Sequence, residues 1–180
     1  MIEIFRDLPH YITSNGVEYE LNTRFNIWLE ITEFLSDKKM SDTDKLICLL
    51  MHGYKKDIPP DINDAIDGLL YFLSRGKKNS GKTGEVLISF SRDEGLIYSA
   101  FLQQYHIDLF ETDLHWWKFL YLLDSLDENT PFMKILSYRS VDLGKIKNPD
   151  LKKFYRKMKN KYSLHHTIDD CKVAQALDSI

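Results

Sequence analysis

Cysteine is nearly absent from this 180-residue chain, which holds only Cys48 and Cys171. The two are far apart, and neither belongs to a Cys-x-x-Cys pair. That spacing argues against a disulfide framework and against a structural zinc site, and it fits a reduced, cytosolic protein. Long apolar runs are lacking as well: none approaches the roughly 20 residues that a bilayer span needs. The opening MIEIFRDLPHYI carries Glu3 and Asp7 and has no apolar stretch of the kind a secretory signal uses. A large excess of one charge is also missing. The formal net charge is −3, so the molecule as a whole is not basic enough to point to nucleic acid. Chain order assembles no Ser-His-Asp or Cys-His constellation. His165-His166 would point about 100° apart on a helix, a poor geometry for chelation, and no other metal-ligand spacing is present. There is no internal repeat.

What the chain has in quantity is aromatic surface, with ten Tyr, ten Phe and three Trp in an apolar content of 43%. Disordered segments are poor in aromatics, so a packed core is expected. A chain of this length buries roughly 70% of the surface that its unfolded form exposes. The reading is one compact helical domain over residues 1–164, followed by a weakly patterned tail over 165–180.

Turn and cap signals divide that domain. Asn15-Gly16 within HYITSNGVEYEL is a two-residue hairpin turn, and Val17, Tyr19 and Leu21 alternate after it, so a small β-hairpin is expected at about 10–21. Thr23 is placed to cap a helix carrying Phe25, Trp28, Leu29, Thr32 and Leu35. Ser41 with Asp44 opens a second helix. Ile62, Ile66, Leu69, Leu70 and Leu73 form the cleanest amphipathic stripe in the chain. Residues 75–85 read as a polar, flexible loop. VLISF (86–90) reads as extended, and Ser91 with Glu94 as the capping box of the next helix. A helix around HWWKF is expected from about Asp113 to Leu126. Thr130-Pro131 and Asn148-Pro149 each pair an N-cap with a first-turn proline, and the second pair starts a helix that ends near Tyr162. The fold class is therefore mainly α with one N-terminal hairpin.

Three stretches carry possible chemistry. GKKNSGKT (76–83) matches the phosphate-cradling pattern GxxxxGK[ST] through Gly76, Gly81, Lys82 and Thr83. That chemistry needs a strand before the loop and a helix N-terminus after it. The flanks here read the other way round, so a solvated basic loop is the preferred reading.

GKIKNPDLKKFYRKMKNK (144–161) holds eight Lys or Arg and one Asp, a local +7 that leaves −10 for the rest. It reads first as a solvated helix face with Phe154 and Met158 inward. An acidic protein partner is the next reading and nucleic acid the last.

DLHWWKF (113–119) concentrates two of the three Trp. On a helix, Leu114, Trp117 and Tyr121 share one face, while Trp116, Leu120 and Leu123 share the next. That describes a buried, central helix, so Trp116, Trp117 and Phe119 read as core. His115 and Lys118 are left on a narrow exposed stripe.

These stretches also carry a family likeness. IYSAFLQQYHIDLFETDLHWWKFLYLLDSL (97–126) and ILSYRSVDLGKIK (135–147) resemble the bacteriophage gene-product-fifteen family of Gram-positive siphophages and prophages. NGVEYELNTRF (15–25) resembles the family's start. The resemblance implies a tail assembly chaperone. Such genes usually lie between the tail-tube gene and the tape-measure gene. Proteins at that position bind the long, apolar, helical tape-measure protein, keep it soluble while tube subunits polymerise, and are usually absent from the finished virion. The implied role is non-enzymatic and without cofactor, in the cytoplasm of the bacterial host. The tail-tube protein and further copies of the chain are the other partners it admits. A minor structural protein of the tail or connector is the rival reading. From chemistry rather than from the family, His115, Lys118, Lys152, Lys153, Arg156 and Lys157 are the candidate partner contacts.

Overall fold

Asn15 and Gly16 both take positive φ, 50° and 79°, the backbone that a primed two-residue turn requires. They join β1 (Tyr11–Ser14) to β2 (Val17–Glu20) in the register Tyr11↔Glu20 through Ser14↔Val17. The structure is a computed structural model that describes residues 7–77 and 87–164. Seven helices follow the hairpin among the described residues. They are α1 (Phe25–Ser36), α2 (Asp42–Gly53), α3 (Ile62–Leu73), α4 (Phe90–Tyr105), α5 (Trp116–Asp124), α6 (Pro131–Ser140) and α7 (Pro149–Lys161). The fold is mainly α, as the sequence reads. None of these helices is long and apolar enough to cross a membrane.

The chain divides into two compact units. Unit 1 comprises residues 1–82 and 107–125, and so holds the hairpin, α1, α2, α3 and α5. Its core includes Leu21, Phe25, Trp28, Ile31, Leu49, Leu69, Phe72, Trp116 and Phe119, all buried. Two polar devices fix the hairpin and α2 to α3. Ser14 Oγ donates to Asp64 Oδ2 at 2.7 Å. The Tyr54 hydroxyl donates to the Ala65 carbonyl at 3.0 Å. Burial, reinforced by the negative charge of Asp64, pushes that phenol up to about 12, so it stays a donor throughout the physiological range.

Unit 2 comprises residues 83–106 and 126–180, and so holds α4, α6 and α7. Ile97, Ala100 and Phe101 of α4 are buried, as are Leu126 and Phe132. Helix α6 packs against both α4 and α7.

The expected caps hold at three starts, those of α2, α6 and α7, and Asp61 caps α3, for which the sequence reading named no cap. Ser41 Oγ accepts from the Asp44 N–H and donates to its carboxylate. Asp61, Thr130 and Asn148 each accept first-turn amides of α3, α6 and α7. Three starts differ from the sequence reading. Arg24, not Thr23, precedes α1. Helix α4 begins at Phe90, behind Ser89 and ahead of the expected Ser91. Its cap works in reverse, because the Asp93 carboxylate accepts the Ser89 N–H at 3.1 Å. Leu87–Ser89 pair with no strand, so VLISF is not a strand where it is described. Helix α5 begins at Trp116 and not near Asp113, for a reason that lies in His115. The remainder of the 75–85 loop after Lys77, the tail from 165 with its His pair, and Cys171 lie outside the described residues.

Candidate functional site

His115 is the N-cap of α5, because its imidazole does the work that a Ser or Asp side chain does elsewhere. Nδ1 accepts the Trp117 N–H at 3.1 Å. That leaves the proton on Nε2, which donates to the Pro9 carbonyl at 3.1 Å. The tautomer thus follows from the two partners. The ring also stands edge-on to Phe72 and His10. Burial pushes its pKa down; the bond to Pro9 opposes that shift, and the charges of His10 and Lys118 reinforce it. His115 therefore does not lie on a helical stripe with Lys118, because it has left the helix to cap it. Lys118 is exposed.

The two adjacent tryptophans close the end of α3. Trp116 Nε1 donates to the Leu73 carbonyl at 3.2 Å and Trp117 Nε1 to the Phe72 carbonyl at 2.7 Å. Helix C-termini leave carbonyls without intrahelical partners, and the indoles supply donors from an apolar body. Trp116 and Phe119 are buried, and they stack on Trp28 and Phe25. Trp117 is half-buried. Tyr121 remains 46% exposed, so α5 is not apolar-packed all round as its sequence suggests. On that open side Arg75 pairs with Asp124 at 2.6 Å and lies over the Tyr121 ring at 5.1 Å. DLHWWKF is thus the keystone of unit 1 and not an open ligand shelf.

The phosphate-loop match meets the wrong neighbours. Its first glycine, Gly76, has φ 69° and donates its N–H to the Tyr71 carbonyl at 2.8 Å. It follows Arg75, the left-handed residue just past the end of α3 at φ 57°, and its amide completes the turn that closes that helix. A helix stands where a phosphate cradle needs a strand. Gly81, Lys82 and Thr83 lie outside the described residues. Among the described residues no group of three His, Cys, Asp or Glu could hold a metal ion.

Unit 2 contains the feature that sequence reading missed. Arg139 and Asp93 form a buried, bidentate ion pair at 2.6 and 2.9 Å. The same guanidinium donates to the Leu87 carbonyl at 2.9 Å and to the Tyr162 carbonyl at 2.7 Å. One side chain thereby ties α6 to the start of α4, to the segment before it and to the end of α7. Arg92 adds a bond to the Leu164 carbonyl at 2.9 Å. The residues are 46 apart, and neither lies in a spacing pattern, so only the fold reveals them.

Those anchors set what α7 displays. Tyr138 of α6 meets the rings of Phe154, Tyr155 and Tyr162. No residue of α7 is fully buried. Phe154 and Met158 were expected inward; Met158 is half-buried, but Phe154 is 45% exposed and Leu151 48%. Lys153, Arg156 and Lys157 are exposed, and Lys152 is half-buried. The four expected basic contacts thus share one helix in unit 2, whereas His115 and Lys118 belong to unit 1.

The family model described as Bacteriophage Gp15 protein matches residues 5–164. The chain belongs to that family. The match runs through both units and ends just after α7, so the hairpin, the His115 cap, the Arg139–Asp93 pair and the basic helix all lie within the Gp15 region. No curated protein and no solved structure matches the chain.

Proposed function

We propose that this Gp15-family chain is a non-enzymatic tail assembly chaperone, which binds the tape-measure protein of its phage in the host cytoplasm. Membership of a bacteriophage protein family supports an assembly or structural role. The observation that carries the finer reading is the outer face of α7. Leu151 and Phe154, at i and i+3, are half-exposed; Lys157 follows Phe154 on the same side of the helix, and Lys153 lies next to Lys157. A helix held in a groove or on a face is gripped through such i, i+3 anchors. The flanking cations would hold acidic residues at the edge of the partner's apolar stripe.

Magnitudes favour many weak contacts. Covering two half-exposed side chains of this size is worth about 1 kcal/mol each, while micromolar binding needs about 8 kcal/mol. One copy would hold its partner loosely. Several copies along a long helix, if held to one another, would mask it by avidity and would be displaced one by one as tube subunits polymerise. The role requires no bond-making step.

Quantitative mass spectrometry of lysate during assembly and of purified virions tests this reading. The chain should co-purify with the tape-measure protein from lysate and be missing from virions. A fixed stoichiometry in virions would instead make it a minor structural protein of the tail or connector.

A further inference from the structure

The exposed face of α7 has a counterpart elsewhere on the same chain. On α7, Phe154, Lys157 and Lys161 follow each other at i, i+3 and i+7, and so share one side of the helix. Lys153 lies beside Lys157 at i, i+4. Like charges at that spacing repel and weaken a helix; Lys161 alone has local support, from the last turn of the helix and from the Tyr162 ring, over which it lies at 5.3 Å. Among the described residues none of these lysines makes an ion pair.

On α3, Asp64, Asp67 and Tyr71 follow at the same i, i+3 and i+7, with Leu70 beside them. Leu70 is 44% and Tyr71 53% exposed. Asp64 accepts the Ser14 hydroxyl, while Asp67 is exposed and has no ion pair among the described residues. Each face is therefore an apolar pair beside a row of one charge, and the two charges are opposite. Nucleic acid would answer the lysines alone. A second copy answers the lysines and also covers Leu151 and Phe154.

We propose that the lysine face of α7 on one copy docks against the aspartate face of α3 on a second copy. The contact joins two different surfaces, so each added copy leaves one face of each kind free, and association continues beyond a dimer unless a ring closes. The contact does not rest on the tape-measure reading. Where both hold, α7 is shared, and the tape-measure protein competes with self-association.

Sedimentation velocity on the full chain, treated with nuclease, tests this. Association should grow with concentration in low salt and be lost in ~1 M NaCl, where screening reaches within about 3 Å. Two variants sharpen the test: Lys153→Glu with Lys157→Glu on α7, and Asp67→Lys on α3. All three positions are exposed, and circular dichroism checks that each variant is folded. Each variant alone should sediment as a monomer, and an equal mixture should associate again, because each supplies the face that the other reversed. A wild-type monomer at every concentration in low salt overturns the proposal. So does association that survives both reversals, a mixture that stays monomeric, or association that nuclease treatment abolishes.

Discussion

Arg139 shows most sharply how one residue governs a unit of this protein. Its guanidinium serves a carboxylate and two carbonyls from three segments. Removing one partner of such a pair leaves a buried charge without compensation and costs about 3–5 kcal/mol, whereas replacing both with apolar residues is often near neutral. Arg139→Met should therefore lower the urea midpoint strongly, and Asp93→Leu combined with Arg139→Met should recover much of the loss.

His115 gives a prediction in pH. Its folded pKa lies below its ordinary value, so the unfolded chain binds that proton more readily. Its contribution to stability is complete above about pH 6.5 and is lost as pH falls through the window between that value and the folded pKa, with a slope of at most ~1.4 kcal/mol per pH unit. His115→Asn keeps a capping side chain and removes the titration. Urea unfolding at neutral and mildly acid pH should show the wild type losing more stability than the variant. An equal loss in both would remove His115 as the cause.

Elements were legible where local chemistry decides them. Asn15-Gly16, Ser41 with Asp44, Thr130-Pro131 and Asn148-Pro149 each place a turn or helix start within a residue or two, because the partners are a few positions apart. The misreadings fall where a distant group overrides a local signal. Asp93 resembles an ordinary first-turn acid, but Arg139 draws it inward and the start of α4 moves ahead of Ser91. His115 resembles a helical surface residue, but Pro9 and the Trp117 amide recruit it as a cap. Phe154 resembles a core residue, but Tyr138 covers only part of its ring.

Substitutions follow that division. Asn148→Ala removes the acceptor for two amides of α7 and should cost about 1 kcal/mol. Thr23→Ala, at the position that Arg24 displaces as the residue before α1, should change stability by less than about 0.5 kcal/mol. Thermal unfolding of the two variants side by side checks both expectations. At the end of α3, Gly76 already spends its amide on the helix. Titration calorimetry with ATP and magnesium should therefore give no binding heat, and Lys82→Ala should leave that result unchanged. Saturable binding lost on that substitution would restore the phosphate-loop reading.

At the scale of the whole molecule, the two units divide the work. Unit 1 spends the aromatic wealth of the sequence on a core closed by its paired tryptophans. Unit 2 uses one buried arginine to hold a helix whose outer side is left basic and partly apolar. That helix carries the proposed function, so the most direct measurement is co-expression with the tape-measure protein of the same genome, followed by size-exclusion chromatography. The tape-measure protein should turn from insoluble to soluble and co-elute with this chain. It should return to the pellet when Lys153, Arg156 and Lys157 are changed to Glu. A tape-measure protein that stays insoluble while the folded wild-type chain elutes alone would contradict the chaperone account.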